Sequence, residues 1–189
     1  MSKSRLIFTL LLNKGTYMLS RNFNLQAVGE LSWLKQYYNF NAIVFSIDEL
    51  LVLNVERGRK DNQNFYENLI KLNENCFMPF AAGGGIRSLD DAFLILNAGA
   101  EKLIINTPLI TQPELVESLV KRFGSQCIIA SIDFKINKNT TEVYIENGSR
   151  STGQTVEDAV KNAYELGCGE IYSPKAISIF FLADRIIPK

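Results

Sequence analysis

The chain has 189 residues, of which 47% are hydrophobic and 21% charged, a composition typical of one globular domain with a sizeable core. Twenty basic residues balance twenty acidic ones, so no overall electrostatic field attracts nucleic acid or an anionic membrane. The absence of histidine excludes an imidazole general base, a serine–histidine couple and a histidine-ligated zinc. Proton transfer would therefore depend on carboxylates, lysine or tyrosine.

The cysteines and the apolar runs indicate a cellular compartment. Cys76, Cys127 and Cys168 lack metal-ligand spacing, and no basic leader followed by a long apolar run begins the chain. The apolar run Leu6 to Leu12 is too short to span a bilayer core of about 30 Å. We therefore expect a cytoplasmic protein with no metal site, no resident cofactor, no membrane segment and no nucleic-acid partner.

Short apolar runs alternate along the chain with stretches of helical periodicity. The apolar runs lack strict alternation, as expected of parallel strands covered on both faces. They are Leu6–Leu12, Leu50–Val55, Phe77–Ala82, Lys102–Asn106 and Cys127–Asp133. The predicted helices are Leu31–Tyr38, Asn62–Asn75, Leu89–Ala98, Pro113–Phe123 and Val156–Leu166. Ala42–Ile47 is also apolar, which leaves the start of the second strand open.

This alternation predicts an α/β fold with right-handed crossovers and a parallel sheet, either a closed barrel or an open doubly wound sheet. A dinucleotide-binding fold would carry its glycine-rich turn after the first strand, whereas Gly83-Gly84-Gly85 follows the third. The sequence therefore favours a parallel (βα) barrel of the TIM type. After the fifth strand, Phe134–Ile136 and Glu142–Ile145 flank an asparagine-rich turn, which predicts a small inserted hairpin.

The triglycine turn, Gly83–Gly85, links a predicted strand to a helix that Ser88 would cap. Glycine has no side chain and so lets backbone amides approach an anion closely, as phosphate-binding turns require. Asn106 and Thr107 end the next strand and would stand beside this turn in a barrel. Together these residues predict a phosphate site, although a tight turn with glycines for steric reasons would have the same sequence.

A set of further motifs extends over most of the chain, from about Asp48 to Ile171. They are Phe80 to Ser88, Gly99 to Lys102, Ile105 to Thr107, Gln112 to Leu115, Phe123 to Cys127, Ala130 to Asp133, Asn147-Gly148, Thr152-Gly153 and Glu165 to Ile171. This set resembles the cyclase subunit of imidazole glycerol phosphate synthase, a barrel of histidine biosynthesis. The resemblance implies an enzyme that takes ammonia from a glutaminase partner. Its phosphorylated substrate, a ribulosyl formimino carboxamide ribonucleotide, would become imidazole glycerol phosphate and an aminoimidazole carboxamide ribonucleotide.

The resemblance also implies catalytic residues, and the chain departs from several of them. Two aspartates at the ends of strands one and five serve the family as acid and base; Asp133 matches the second, but the first falls on Leu11. A lysine expected in the loop Asn13 to Asn24 falls on Leu19, and an aspartate expected at the end of strand two falls on Asn54. Because each general acid or base contributes roughly 10² to 10⁴-fold in rate, Leu11 predicts little ordinary cyclase activity.

At the opposite end of the barrel, the resemblance implies a ring of charges at the starts of strands, through which ammonia enters. These positions are Arg5, Glu49, Lys102 and Glu170, and each keeps the expected charge sign. Two positive and two negative side chains can pair in one ring, which predicts a closed polar gate and implies a docked glutaminase subunit. The alternative is that these strand starts are charged only because they meet solvent.

The length of the chain predicts an incomplete barrel. Eight units typically need about 250 residues, so we expect about five βα units and a sixth strand. We assign a partial barrel to residues 1–172 and a divergent tail to residues 173–189, in which Ile177–Ile187 could form a helix over the opening. An incomplete barrel leaves unpaired edges, which favour aggregation or pairing with another chain.

Three functions compete. The first is an ammonia-dependent cyclase or lyase subunit, acting in histidine biosynthesis or, as Leu11 favours, as a paralogue in surface-polysaccharide synthesis. The second is a non-catalytic phosphate- or partner-binding remnant of the barrel. The length of the chain supports this hypothesis, because it is about a quarter shorter than a typical eight-unit barrel. A sugar-phosphate isomerase of the same superfamily ranks third, because it too needs the aspartate that Leu11 replaces.

Overall fold

The computed structural model describes residues 5–21, 23–37, 46–58, 60–75, 78–137, 140–173 and 187–188. The strands are β1 Ile7–Asn13, β2 Thr16–Arg21, β3 Asn24–Gly29, β4 Glu49–Asn54, β5 Phe80–Gly83, β6 Lys102–Ile105, β7 Ile128–Ser131, β8 Asp133–Asn137, β9 Thr140–Ile145, β10 Arg150–Ser151, β11 Glu170–Tyr172 and β12 Ile187–Pro188. The helices are α1 Leu31–Tyr37, α2 Asn62–Asn73, α3 Leu89–Asn97, α4 Pro108–Thr111, α5 Pro113–Phe123 and α6 Val156–Glu165. A single 3₁₀ turn, Ser125–Cys127, precedes β7.

Nine of the strands form one curled sheet, in the order β12-β11-β7-β6-β5-β4-β1-β2-β3. The run from β1 through β4, β5, β6 and β7 to β11 is parallel, whereas β2, β3 and β12 join it antiparallel. Strand and helix alternate along the parallel run, as in a TIM-type α/β barrel, of which this sheet is an incomplete form. The remaining strands, β8, β9 and β10, form a small antiparallel sheet inserted after β7.

The parallel strands are buried on both faces, which explains why their sequences do not alternate. On the outer face, Leu50, Val52 and Phe80 pack with the helices in the main core. On the inner face, one residue from each of the six parallel strands contributes to a second cluster, formed by Ile7, Leu51, Ala81, Ile104, Ile129 and Tyr172. The inside of the sheet is therefore packed with side chains, as in a barrel.

Most of the predicted elements are confirmed, including the five parallel strands and the inserted hairpin, which pairs Phe134 with Val143. One boundary was wrong: the fifth strand ends at Ser131, and Asp133 instead begins β8. The apolar run Ala42–Ile47 lies mostly outside the described residues. Of the possible helix Ile177–Ile187, only the last residue is described. Ile187 belongs to β12 and pairs with Ile171 of β11.

The segment Asn13–Asn24, expected to be a loop, instead contains strand β2, which pairs antiparallel with β1 and β3. Lys14 and Gly15 both have positive φ, 51° and 81°, which is the backbone of a two-residue turn that suits antiparallel strands. Tyr17 is buried and holds the hairpin to the core. The expectation was wrong because it overlooked this turn. No helix in the described part of the chain is long and apolar enough to cross a membrane.

Candidate functional site

A cleft of about 870 Å³ opens at the carboxyl ends of the parallel strands. The loops that follow β4, β5 and β6 supply most of its lining, and hairpin residues close another side, among them Phe23 and the turn Glu146–Ser149. Barrel enzymes bind their ligands at this end, because the loops there are free to vary without disturbing the core. We therefore take this cleft as the candidate site.

Two of the three residues in the triglycine turn line the cleft, and their conformation requires glycine. Gly84 and Gly85 have φ of +97° and +103°, where L side chains are rare. A Cβ on Gly84 would collide with the backbone of Asn54, and one on Gly85 would lie 2.9 Å from a side-chain atom of Lys60. Gly83 lies within β5 against the backbone of Ile104 and is not among the lining residues. The turn thus brings bare backbone to the cleft wall.

Asp91, on the first turn of α3, joins the residues that follow the triglycine turn to helix α2. Its Oδ2 accepts hydrogen bonds of 2.9 Å from the Arg87 amide and the Ser88 hydroxyl. Its Oδ1 accepts from Asn62 Nδ2 at 3.1 Å and from the Tyr66 hydroxyl at 3.0 Å. Burial alone would raise the pKa of Asp91, but these four hydrogen bonds lower it below its ordinary value. Asp91 therefore acts as an ionised anchor for the loop.

The predicted pair Asn106 and Thr107 lies beside the triglycine turn along the cleft. Asn106 Nδ2 donates to the Ser131 carbonyl at 2.9 Å and approaches Asp133 Oδ2 at 3.5 Å. The Thr107 hydroxyl donates to Asn106 Oδ1 at 3.4 Å and accepts from the Glu146 amide at 3.3 Å. Burial raises the pKa of Asp133 to about 6, close to neutral pH. Asp133 is not among the residues that line the cleft, and Asn106 lies between its carboxyl group and the cleft.

The structure describes all three residues that depart from the family pattern, Leu11, Leu19 and Asn54. Leu11 pairs with Leu53 and Met18 within the sheet. Leu19 lies in the middle of β2, opposite Gln26. Asn54 is buried, and its side chain accepts a hydrogen bond of 3.0 Å from the Glu56 amide. Asn54 therefore shapes the loop after β4.

At the amino ends of the strands, the four predicted charges form a closed ring, which we call the charge ring. Lys102 Nζ lies 3.0 Å from Glu49 Oε1 and 2.9 Å from Glu170 Oε1. Arg5 lies 3.0 Å from Glu170 Oε2 and 3.6 Å from Glu49 Oε2. Burial alone would lower the pKa of Lys102, but Glu170 and Glu49 raise it above its ordinary value. The ring thus links the starts of β1, β4, β6 and β11.

Sequence reasoning missed the cations of the cleft. Arg57, Lys60 and Arg87 all contribute to its lining, with the carboxylate of Glu56 among them. Arg87 stands two residues after the triglycine turn and could have been noticed there, but the loop after β4 carries no motif that marks Lys60. Among the described residues, no three histidine, cysteine or carboxylate side chains cluster as metal ligands would. The chemistry of the lining suits an anionic ligand.

Comparison with known proteins identifies relatives of the chain. The family model described as "Histidine biosynthesis protein" matches residues 21–174. A Parasynechococcus marenigrum protein provisionally named imidazole glycerol phosphate synthase subunit hisF2 is 41% identical over 85% of this chain and 60% of its own length. The HisF subunit of that synthase from Helicobacter hepaticus is 34% identical over 88% of this chain and 66% of its own length. The corresponding subunit from Natranaerobius thermophilus is 36% identical over 90% and 67%. The chain thus spans about two thirds of the length of these relatives.

Proposed function

Because the chain belongs to the histidine biosynthesis protein family, we propose that it works as a cyclase-type subunit like HisF. It would bind a phosphorylated substrate in the cleft, at Gly84, Gly85, Asn106 and Thr107, and use ammonia that a docked glutaminase supplies at the charge ring. Two of the relatives named above are subunits of imidazole glycerol phosphate synthase, which makes the reaction of that synthase the first candidate. Such an enzyme would be a carbon–nitrogen lyase that needs no cofactor.

The observation that carries this proposal is the closed charge ring at the end of the strands opposite the cleft. Surface charges that only meet solvent do not need to pair in a ring, whereas Glu49 and Glu170 are each held by both cations. One corner is looser than the rest: Glu49 Oε2 is buried, lacks a hydrogen-bond partner among the described residues, and lies 3.6 Å from Arg5. A ring that is closed but loose at one corner supports a gate for a small polar molecule.

Asp133 supports the catalytic part of the proposal. A general acid or base works best when its pKa lies near the working pH, and burial brings the pKa of Asp133 to about 6. Asp133 is not itself among the residues that line the cleft, but its neighbour Asn106 is, so a substrate would have to extend past Asn106 to reach the carboxyl group. Asp133 would then move a proton to or from the bound substrate.

Leu11 favours a second candidate function. With no carboxylate on β1, the acid–base pair that the resemblance implies is reduced to one member, which should cost roughly 10² to 10⁴-fold in rate. The chain could then bind phosphate and a partner without catalysing a reaction, or use ammonia for another product, as in surface-polysaccharide synthesis. These alternatives predict different outcomes in one experiment.

That experiment titrates the chain with a glutaminase subunit by calorimetry and then measures ammonia-dependent turnover of the ribulosyl intermediate. Asp133→Asn tests the catalytic carboxyl group, and Asp90→Asn, an exposed aspartate on α3, is the matched control. Binding with turnover that Asp133→Asn abolishes and Asp90→Asn preserves would establish the cyclase.

The other outcomes separate the alternatives. Binding of the glutaminase without turnover would favour another product or a non-catalytic role. The absence of binding would refute the glutaminase partner and leave a phosphate-binding remnant as the better account.

A further inference from the structure

The loop after β4 places a lysine against the triglycine turn. Lys60 Nζ donates a 2.6 Å hydrogen bond to the carbonyl of Asn54, the residue whose backbone a Cβ on Gly84 would meet. The aliphatic part of Lys60 packs on Gly85, with Cδ 2.9 Å from the position of a Cβ there. One ammonium group thus lies beside both lining glycines, and two of its three N–H bonds remain for other acceptors.

The charges around Lys60 leave it without a carboxylate partner. Neither Lys60 nor Arg87 forms an ion pair within 4.0 Å with any described residue. The nearby Glu56 is engaged elsewhere, since it accepts from the Asp61 amide at 3.1 Å and pairs with Lys14 at 4.0 Å. Burial and the positive charge of Arg87 lower the pKa of Lys60 to about 8, against an opposing effect of Glu56.

Lys60 is largely buried, Arg87 is exposed, and both line the cleft, where the positive charge of Lys60 is unfavourable unless an anion binds beside it. We propose that Lys60 and Arg87 form the cationic half of the anion site at the triglycine turn, and that they select a phosphate monoester in its dianionic form. The inference rests on the phosphate site of the proposed function and adds the residues that set its charge specificity. A dianion would neutralise both side chains, whereas a carboxylate or a phosphodiester would leave one positive charge unmatched.

The test uses sulfate as the probe, because sulfate stays a dianion on both sides of the Lys60 pKa. Calorimetric titration at constant ionic strength should show the affinity of the full chain for sulfate falling as pH rises through about 8. Lys60→Arg keeps its charge in this range and should remove that fall. Lys60→Met should weaken sulfate binding about tenfold or more well below this pKa, because one charge-assisted hydrogen bond is lost.

The matched control is Lys71→Met, an exposed lysine on α2, which should leave sulfate affinity and its pH dependence unchanged. Arg87→Met should weaken binding as Lys60→Met does, and thermal unfolding of each variant checks that it folds. Affinity that does not change with pH in the unmodified chain, or that Lys60→Met leaves intact, would overturn the role of Lys60. This measurement does not depend on glutaminase binding or turnover, so a failure of this inference can be told apart from a failure of the proposed cyclase function.

Discussion

At the scale of single residues, the two ends of the parallel strands use charge in opposite ways. Asp133 is a carboxyl group that burial makes harder to ionise, with its pKa near 6. Lys102 is a cation that two carboxylates keep ionised, with its pKa raised. The first arrangement costs stability, whereas the second stabilises the junction of several strands.

Asp133→Asn should stabilise the protein at neutral pH. The folded-state pKa lies above the ordinary 3.8, so the folded chain binds more protons than the unfolded chain between about 4 and 6, and stability falls as pH rises through that range. Removing the charge should therefore add about 1 to 3 kcal/mol to the free energy of unfolding above pH 6, since one pKa unit corresponds to about 1.4 kcal/mol.

Urea unfolding of Asp133→Asn and the unmodified chain measures this gain, which should vanish near pH 4. An equal gain in the exposed control Asp90→Asn, or a gain that does not depend on pH, would contradict the explanation by burial.

Lys102→Met should destabilise the protein strongly. It leaves Glu49 and Glu170, whose side chains are only 7% and 16% exposed, with Arg5 as their one remaining cation. Loss of one partner from a largely buried ion pair typically costs about 3 kcal/mol or more. The control is Lys161→Met, which breaks an exposed pair with Glu165 and should cost less than about 0.5 kcal/mol. Equal losses in urea unfolding would show that the charge ring does not stabilise the fold.

At the scale of elements, turns and caps decide where the lining of the cleft stands. The turn Lys14-Gly15 joins β1 to β2. Phe23, between β2 and β3, is one of the residues that line the cleft. There Phe23 lies within 5.3 Å of Lys135 Nζ, which also lies 4.0 Å from the ring of Tyr144. The ammonium group of Lys135 thus joins the β2–β3 hairpin to the β8–β9 hairpin.

Asp91→Ala should loosen the triglycine turn and cost about 2 to 4 kcal/mol, because four donors lose one shared acceptor. Since the folded-state pKa of Asp91 is lowered, its contribution is present above the unfolded pKa and is lost as pH falls through the folded value. Urea unfolding should therefore show a difference that is largest at neutral pH. Asp90→Ala, on the same helical turn, should change stability by less than about 0.5 kcal/mol.

At the scale of the whole molecule, the first and sixth parallel strands touch across the inside of the sheet. The hydroxyls of Thr9 and Tyr172 lie 3.0 Å apart although 163 positions separate them in sequence, and the Tyr172 side chain is fully buried. On the same side of the sheet, Arg5 reaches Glu170. These contacts curl the sheet towards a barrel.

A double-mutant cycle with Thr9→Val and Tyr172→Phe should measure this contact. Each single variant should lose about 1 kcal/mol, and the pair should lose clearly less than the sum, because one hydrogen bond accounts for both losses. Free energies of unfolding in urea give the coupling. Strictly additive losses would show that the two hydroxyls do not stabilise the curled sheet together.

Local patterns in the sequence determined the elements and part of the candidate site. The apolar runs of the parallel strands, the periodic helices and the asparagine-rich turn each depend on a few neighbouring residues, so the sequence predicted them. The glycines of the turn, Asn106 and Asp133 stand in motifs that resemble a known family, and the four charges of the ring share that resemblance. The hairpin that begins at Lys14 was missed, although its turn is also local.

Only the tertiary structure decided which charges meet. Arg5 and Glu170 lie 165 positions apart in sequence, and the curl of the sheet brings them into the charge ring. Lys60 and Arg87 come from different loops, and the parallel pairing of β4 with β5 sets them beside one cleft. Crossover connections fix such distances through the register of the strands and the packing of the helices, and neither of these is encoded in a short stretch of sequence.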